Sequence, residues 1–151
     1  MPIPVVIDSD TFNEIDDQFA IAYALCRPQT LDVQALLAAP FVNEKAGTPA
    51  EGMCKSLAEM KRVRALCHSH TPVFAGSAAY LPDDGRPVPS EAAGELIRLA
   101  RAVPQGKRLY VAAIAALTNV ASALLLAPDI AEKICVYWLG GNAKDFTNQN
   151  E

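Results

Sequence analysis

The stretch Val5 Val6 Ile7 Asp8 Ser9 Asp10 Thr11 Phe12 Asn13 Glu14 Ile15 Asp16 Asp17 Gln18 passes within a few residues from branched aliphatics to a cluster of carboxylates. Three such aliphatics in a row suit a strand buried on both faces, the kind that parallel sheets use. This strand, Ile3 to Asp8, delivers Asp8 and Asp10 to its carboxyl end, and residues two apart on a strand point the same way. Asp16 and Asp17 fall in the first turn of a helix from about Glu14 to Arg27, where the helix dipole favours negative charge. The dipole does not offset four crowded carboxylates, so a positive partner is expected among them. The apolar stripe Ile15, Phe19, Ala22 and Cys26 is expected to face the sheet, and Pro28 helps to stop the helix.

Outward from this stretch, β-branched runs keep alternating with helical periodicity. Asp32 to Ala39 reads as the second strand, and Ala50 to Ser69 as a helix with Met53, Leu57, Met60 and Cys67 on one face. Pro72 to Ala75 reads as a short third strand. Gly76 to Pro89 is an irregular loop placed to border a site, and Ser90 is the N-cap of the next helix. Leu109 to Ile114, Thr118 to Ala127 and Ile134 to Leu139 complete the series as strand, helix and strand, the last ending in Gly140 Gly141. The expectation is an α/β fold, an open and mostly parallel sheet with alternating helices, Rossmann-like. The chain stops after the polar run Asn142 to Glu151, where this architecture expects another helix.

A length of 151 residues with 51% apolar content is enough for one domain with a core of its own. Thirteen basic against seventeen acidic residues give a net charge of −4, without a basic block, which argues against a nucleic-acid partner. No apolar run is long enough to span a bilayer, and Met1 Pro2 Ile3 Pro4 lacks the pattern of a signal peptide, so no membrane association and a cytoplasmic location are expected. Cys26, Cys54, Cys67 and Cys135 form no close pair in sequence and read as reduced core residues. His68 and His70 beside Cys67 could in principle join it on a metal, but the spacing favours surface histidines at a helix end.

The acidic cluster carries the functional reading. In open α/β sheets ligands bind beyond the carboxyl ends of the strands, where these residues lie. Oxygen ligands alone suit calcium or magnesium rather than zinc or copper. The plainer alternative is that Asp16 and Asp17 are helix-favouring acids and Asp8 and Asp10 solvated turn residues. An EF-hand loop starting at Asp8 fails: Phe12 occupies a ligand slot, Asn13 the glycine slot and Phe19 the glutamate slot. The phosphatase pattern of paired aspartates fails too, with Phe12 where threonine or valine belongs.

These residues resemble the calcium-dependent nucleoside hydrolases, the inosine/uridine-preferring nucleoside N-ribohydrolases. That family's signature is a strand ending in aspartate, any residue, aspartate, then a helix opening on an aspartate pair after three residues; here Thr11 to Ile15 intervene, a two-residue expansion. Ala112 Ala113 Ile114 Ala115 Ala116 Leu117 Thr118 Asn119 Val120 Ala121 is similar to its strand-to-helix turn, and Trp138 Leu139 Gly140 Gly141 to its paired-glycine strand end. The resemblance implies Asp10 and Asp17 as calcium ligands, Thr118 as the donor of a backbone carbonyl to that ion, and Asp10 also as general base. It implies Asp16, and with less support Glu151, as ribose-binding carboxylates, and Asp8 as a support behind them. The implied reaction is hydrolysis of the N-glycosidic bond of a small-molecule ribonucleoside to ribose and free base.

The chain departs from the family pattern in three places. Ala39 Pro40 Phe41 stands where Ala-Gly-Asn is usual after the second strand, so that asparagine's contact is missing or supplied from elsewhere. Ala115 replaces a glycine, which tightens the turn. The resemblance covers only the N-terminal half of family members, which implies that residues 1–151 are the N-terminal part of a single nucleoside hydrolase domain, incomplete at the C-terminus and truncated. A further aspartate ligand and a histidine assigned to leaving-group protonation belong to the other half, and neither His68 nor His70 matches that histidine. The alternative is a non-catalytic α/β fragment that keeps an acidic, calcium-binding pocket or serves as an interaction module. An unpaired sheet edge would also favour a homo-oligomer.

Overall fold

The computed structural model describes residues 1–141. Its order is β1 (Ile3–Ser9), α1 (Ile15–Leu25), β2 (Leu31–Ala38), α2 (Pro49–Leu66), β3 (Val73–Phe74), α3 (Glu91–Ala102), β4 (Leu109–Ile114), α4 (Thr118–Leu126), a 3-10 turn (Pro128–Ile130) and β5 (Ile134–Trp138). The expected alternation is present, with most boundaries displaced by one to three residues. Helix starts follow local chemistry: Thr48 and Ser90 accept hydrogen bonds from the backbone N–H groups of Glu51 and Ala93, satisfying donors that the first turn leaves free.

All strand pairs are parallel, in the order β3-β2-β1-β4-β5. The chain runs outward from β1 through β2 to β3, then crosses back to lay β4 on the other side of β1. This reversal sends the helices to opposite faces. Ile21 and Ala24 of α1 and Met53, Met60 and Val63 of α2 pack with Ile7, Leu36 and Ala38 on one face. Leu96, Leu99 and Ala100 of α3 and Val120 and Ala123 of α4 pack with Val6, Leu37 and Val111 on the other. Alternate residues of β1 and β2 therefore feed two separate cores, which explains their nearly unbroken apolar sequence.

Two sequence expectations are corrected. The sheet-facing stripe of α1 is Ile21 and Ala24 with Ala22 half-buried against the same core, whereas Ile15 and Phe19 are 71% and 69% exposed and Cys26 is exposed. Both sides of this helix are apolar, so periodicity alone does not choose between them. Turning Asp17 inward to meet Asp10 fixes the rotation and brings Ile21 and Ala24, one and two turns on, against the sheet. Of the cysteines, all free thiols, Cys26 and Cys54 are exposed rather than core residues, Cys135 is half-buried, and Cys67 is half-buried against the core of α1 and α2.

Candidate active site

β1 and β4 lie side by side but lead to helices on opposite faces, so their carboxyl ends open a crevice at the point where the strand order reverses. A cavity of about 660 Å³ occupies it, bordered by the end of β1, the start of α1, the β4–α4 turn and the end of β5. Asp10, Glu14, Asp16 and Asp17 line it, and no lysine, arginine or histidine does among the described residues.

The four sequence-singled aspartates have different surroundings. Asp10 and Asp17 are 8% and 6% exposed and lie close enough for each to shift the ionisation of the other. Burial raises both, and in Asp17 the neighbouring Asp10 adds to burial, pushing it up to about 8. Asp8 lies behind the cavity wall, fully buried and pushed up to about 7, mainly by burial and secondarily by the charge of Asp10 against the opposing hydrogen bond from Asn119. Its Oδ1 accepts that bond at 2.8 Å, while its buried Oδ2 has no partner among the described residues. Asp16 is exposed at the rim. The solvated-acid alternative therefore describes Asp16 but not Asp8, Asp10 or Asp17. Thr118 is buried and lines the cavity as the first residue of α4. Glu151 lies outside the described residues.

Several residues that hold the site were not assigned roles from sequence. Asn13, inside the two-residue expansion, donates from Nδ2 to Asp10 Oδ2 at 2.9 Å. Asn43, in the loop after β2, donates in turn to Asn13 Oδ1 at 2.5 Å, and Lys45 Nζ donates to the Asn13 carbonyl at 2.5 Å. An asparagine contact thus reaches Asp10 from the expanded turn, where Pro40 and Phe41 occupy the wall. Asn119 is the second anchor: it donates to Asp8 and to the Ala38 carbonyl at 3.1 Å, and accepts from the Ser77 N–H at 2.8 Å. Gly76 permits this approach, because a Cβ there would sit 1.8 Å from the Ala38 oxygen and 2.6 Å from Asn119 Nδ2.

Tyr80 and Leu81 bring the irregular loop to the cavity, as the loop's position led us to expect. Burial, and then the charge of Asp10, hold the Tyr80 hydroxyl above its ordinary range. Opposite, Trp138 donates its indole N–H to the Ala115 carbonyl at 2.9 Å, tying the end of β5 to the turn where alanine replaces the usual glycine. His68 and His70 are exposed and line no part of this cavity.

Whether a cation fits is answered by the donors. Asp10 and Asp17 present hard oxygen donors of the kind calcium takes, with no cationic side chain lining the cavity among the described residues, and one oxygen of the buried Asp8 has no partner among those residues. Among the described residues no group of three His, Cys, Asp or Glu side chains is placed to hold a metal, so these residues supply a carboxylate pair rather than a complete shell. No described helix is long and apolar enough to cross a membrane.

Among solved structures, an inosine-guanosine nucleoside hydrolase superposes with a TM-score of 0.66 at 21% identity, over 89% of this chain and 44% of that one. The inosine-uridine preferring nucleoside hydrolase from Bacillus anthracis gives 0.57 at 18% identity, over 94% of this chain and 51% of that one. The chain thus spans about half the length of these neighbours, which share its α/β fold. No curated protein matches it. The sequence pattern of the inosine-uridine preferring nucleoside hydrolases matches residues 5–151, almost the whole chain, and the chain belongs to that family.

Proposed function

We propose that this acidic crevice is the ribose-binding and metal-binding part of an enzyme that hydrolyses the N-glycosidic bond of ribonucleosides. The observation that carries the reading is a cavity at the β1/β4 reversal lined by four carboxylates and no cationic side chain among the described residues. Family membership supplies the reaction class.

Asp10, Asp17 and the Thr118 carbonyl would hold a calcium ion, and the ion would lower the pKa of a water and orient the two ribose hydroxyls. Asp10 takes the proton of the attacking water, oriented for this by the amide of Asn13. Asp16, at the solvent-facing rim, accepts hydrogen bonds from ribose hydroxyls. The assembled carboxylates stabilise the positive charge that grows on the sugar as the bond to the base breaks. Asp8 stands behind Asp10 and, fixed by Asn119, keeps the end of β1 in place.

Because the sugar is gripped through two hydroxyls, ribonucleosides should be cleaved in preference to 2′-deoxynucleosides. The test is release of reducing sugar from inosine and uridine, in calcium and in chelator. Calcium-dependent release that is lost in Asp10→Asn supports the proposal. No release in calcium, or release unaffected by chelator and by Asp10→Asn, contradicts it for this chain. The non-catalytic alternative, an acidic calcium-binding pocket without hydrolysis, is the outcome in which calcium binds and no sugar appears.

A further inference from the structure

The turn that carries the chain from β4 into α4 has no polar side chain of its own to hold it. It consists of Ala115, Ala116 and Leu117, and Leu117, at the N-cap position, makes no side-chain hydrogen bond to the helix. An anchor comes from β5 instead. Trp138, the single tryptophan of the chain, ends that strand and pairs in register with Ala113. Its indole Nε1 donates across 23 residues to the Ala115 carbonyl at 2.9 Å. The ring is 48% exposed and borders the cavity, so core burial does not account for where it lies. The glycine pair after it does. A Cβ on Gly140 would sit 2.6 Å from Nε1 and 3.0 Å from Cε2 of the indole, and one on Gly141 would sit 3.0 Å from Cη2. The ring therefore lies back across both glycines, its pyrrole side at Gly140 and its benzo edge at Gly141. Gly141 has φ +81° and needs glycine for that reason alone, whereas Gly140 has no positive φ, so there the indole is what excludes a side chain.

We infer that Trp138, seated on Gly140 and Gly141, is a positioning residue for the cation: through the Ala115 carbonyl it sets the β4–α4 turn, and with it the backbone carbonyl of Thr118. The inference rests on the calcium site proposed above. Thr118 stands three residues past Ala115 and opens α4. A backbone carbonyl moves only with its chain, so a turn released from the indole no longer presents that oxygen in a preset place. Asp10 and Asp17 come from the end of β1 and the start of α1 and do not depend on this turn. Loss of the indole bond therefore weakens the cation's hold without abolishing it.

The experiment has two readouts on the whole chain: calcium affinity by calorimetric titration and, in chelator, hydrogen exchange of the amides from Ala115 to Ala121. Trp138→Phe, which keeps an aromatic ring but removes the N–H, should weaken calcium about tenfold and speed exchange across the turn. Gly140→Ala should do the same by pushing the indole off its seat. In a Trp138→Ala background the glycine change should add little, because the ring it displaces is already gone. Equal calcium affinity in the parent chain and Trp138→Phe, unchanged exchange, or additive losses from the two positions would each overturn the inference and leave the calcium site standing. No calcium binding by the parent chain would instead overturn the site itself, and the inference with it.

Discussion

At Asn119 one amide joins β1 through Asp8, β2 through the Ala38 carbonyl and the loop after β3 through the Ser77 N–H, all of them buried. Cutting it back to Asn119→Ala strands these partners in a dry interior, and each unsatisfied group costs about 1–3 kcal/mol. The chain should lose about 3 kcal/mol in urea unfolding, well beyond a surface substitution. A loss within 0.5 kcal/mol would contradict the hub. The carboxylates give a pH signature in the absence of calcium. Asp8 and Asp17 stand at about 7 and about 8 in the folded chain against 3.8 for an ordinary aspartate, so the folded state holds protons that the unfolded state has released. Their contribution is complete below about pH 4 and is lost as pH rises through 7 and 8. Glu59 and Asp129, lowered chiefly by hydrogen bonds from Arg62 and Arg101, act in the opposite sense but only below their ordinary range. With calcium chelated, the thermal midpoint should therefore fall between pH 5 and pH 8, and added calcium should flatten the fall; a midpoint that rises across this window would contradict the assignment.

At the scale of elements, α1 sets the limit of what its sequence discloses. The acids at its start, the strand before it and the proline after it were legible, because caps, β-branching and breakers act locally. Its rotation was not, because Ile15, Phe19 and Tyr23 make as good a stripe as Ile21 and Ala24, and only the encounter of Asp17 with Asp10 separates them. The packing predicts unequal variants: Ile21→Ala should cost about 2–4 kcal/mol, as burying a branched side chain requires, and Phe19→Ala less than about 0.5. Equal losses would mean the other face is inward. The asparagine relay had the same obscurity. Asn13 and Asn43 are 30 residues apart, and nothing local announces that the turn after β1 meets the loop after β2.

For the whole molecule, the alternating pattern sufficed to place the site, since the order β3-β2-β1-β4-β5 puts the reversal at the strand whose end carries Asp8 and Asp10. The side chains that close the cavity, Tyr80 and Trp138, come from a loop and an edge strand whose positions only the assembled sheet fixes. That edge also exposes Tyr137, Trp138 and Leu139, at 65%, 48% and 73%. Among the described residues β5 pairs on one side only. Such an edge favours self-association, so light scattering should show oligomers that Tyr137→Lys reduces; a monodisperse monomer at high concentration would argue against an edge contact. The central claim is that Asp10 and Asp17 are paired in order to hold a cation. The most direct measurement is a calorimetric titration of calcium into this chain, its Asp17→Asn variant and a control changed at the remote Asp84. The account predicts binding by the parent chain and the control, and its loss in Asp17→Asn; no binding by the parent chain, or equal binding by all three, would contradict it.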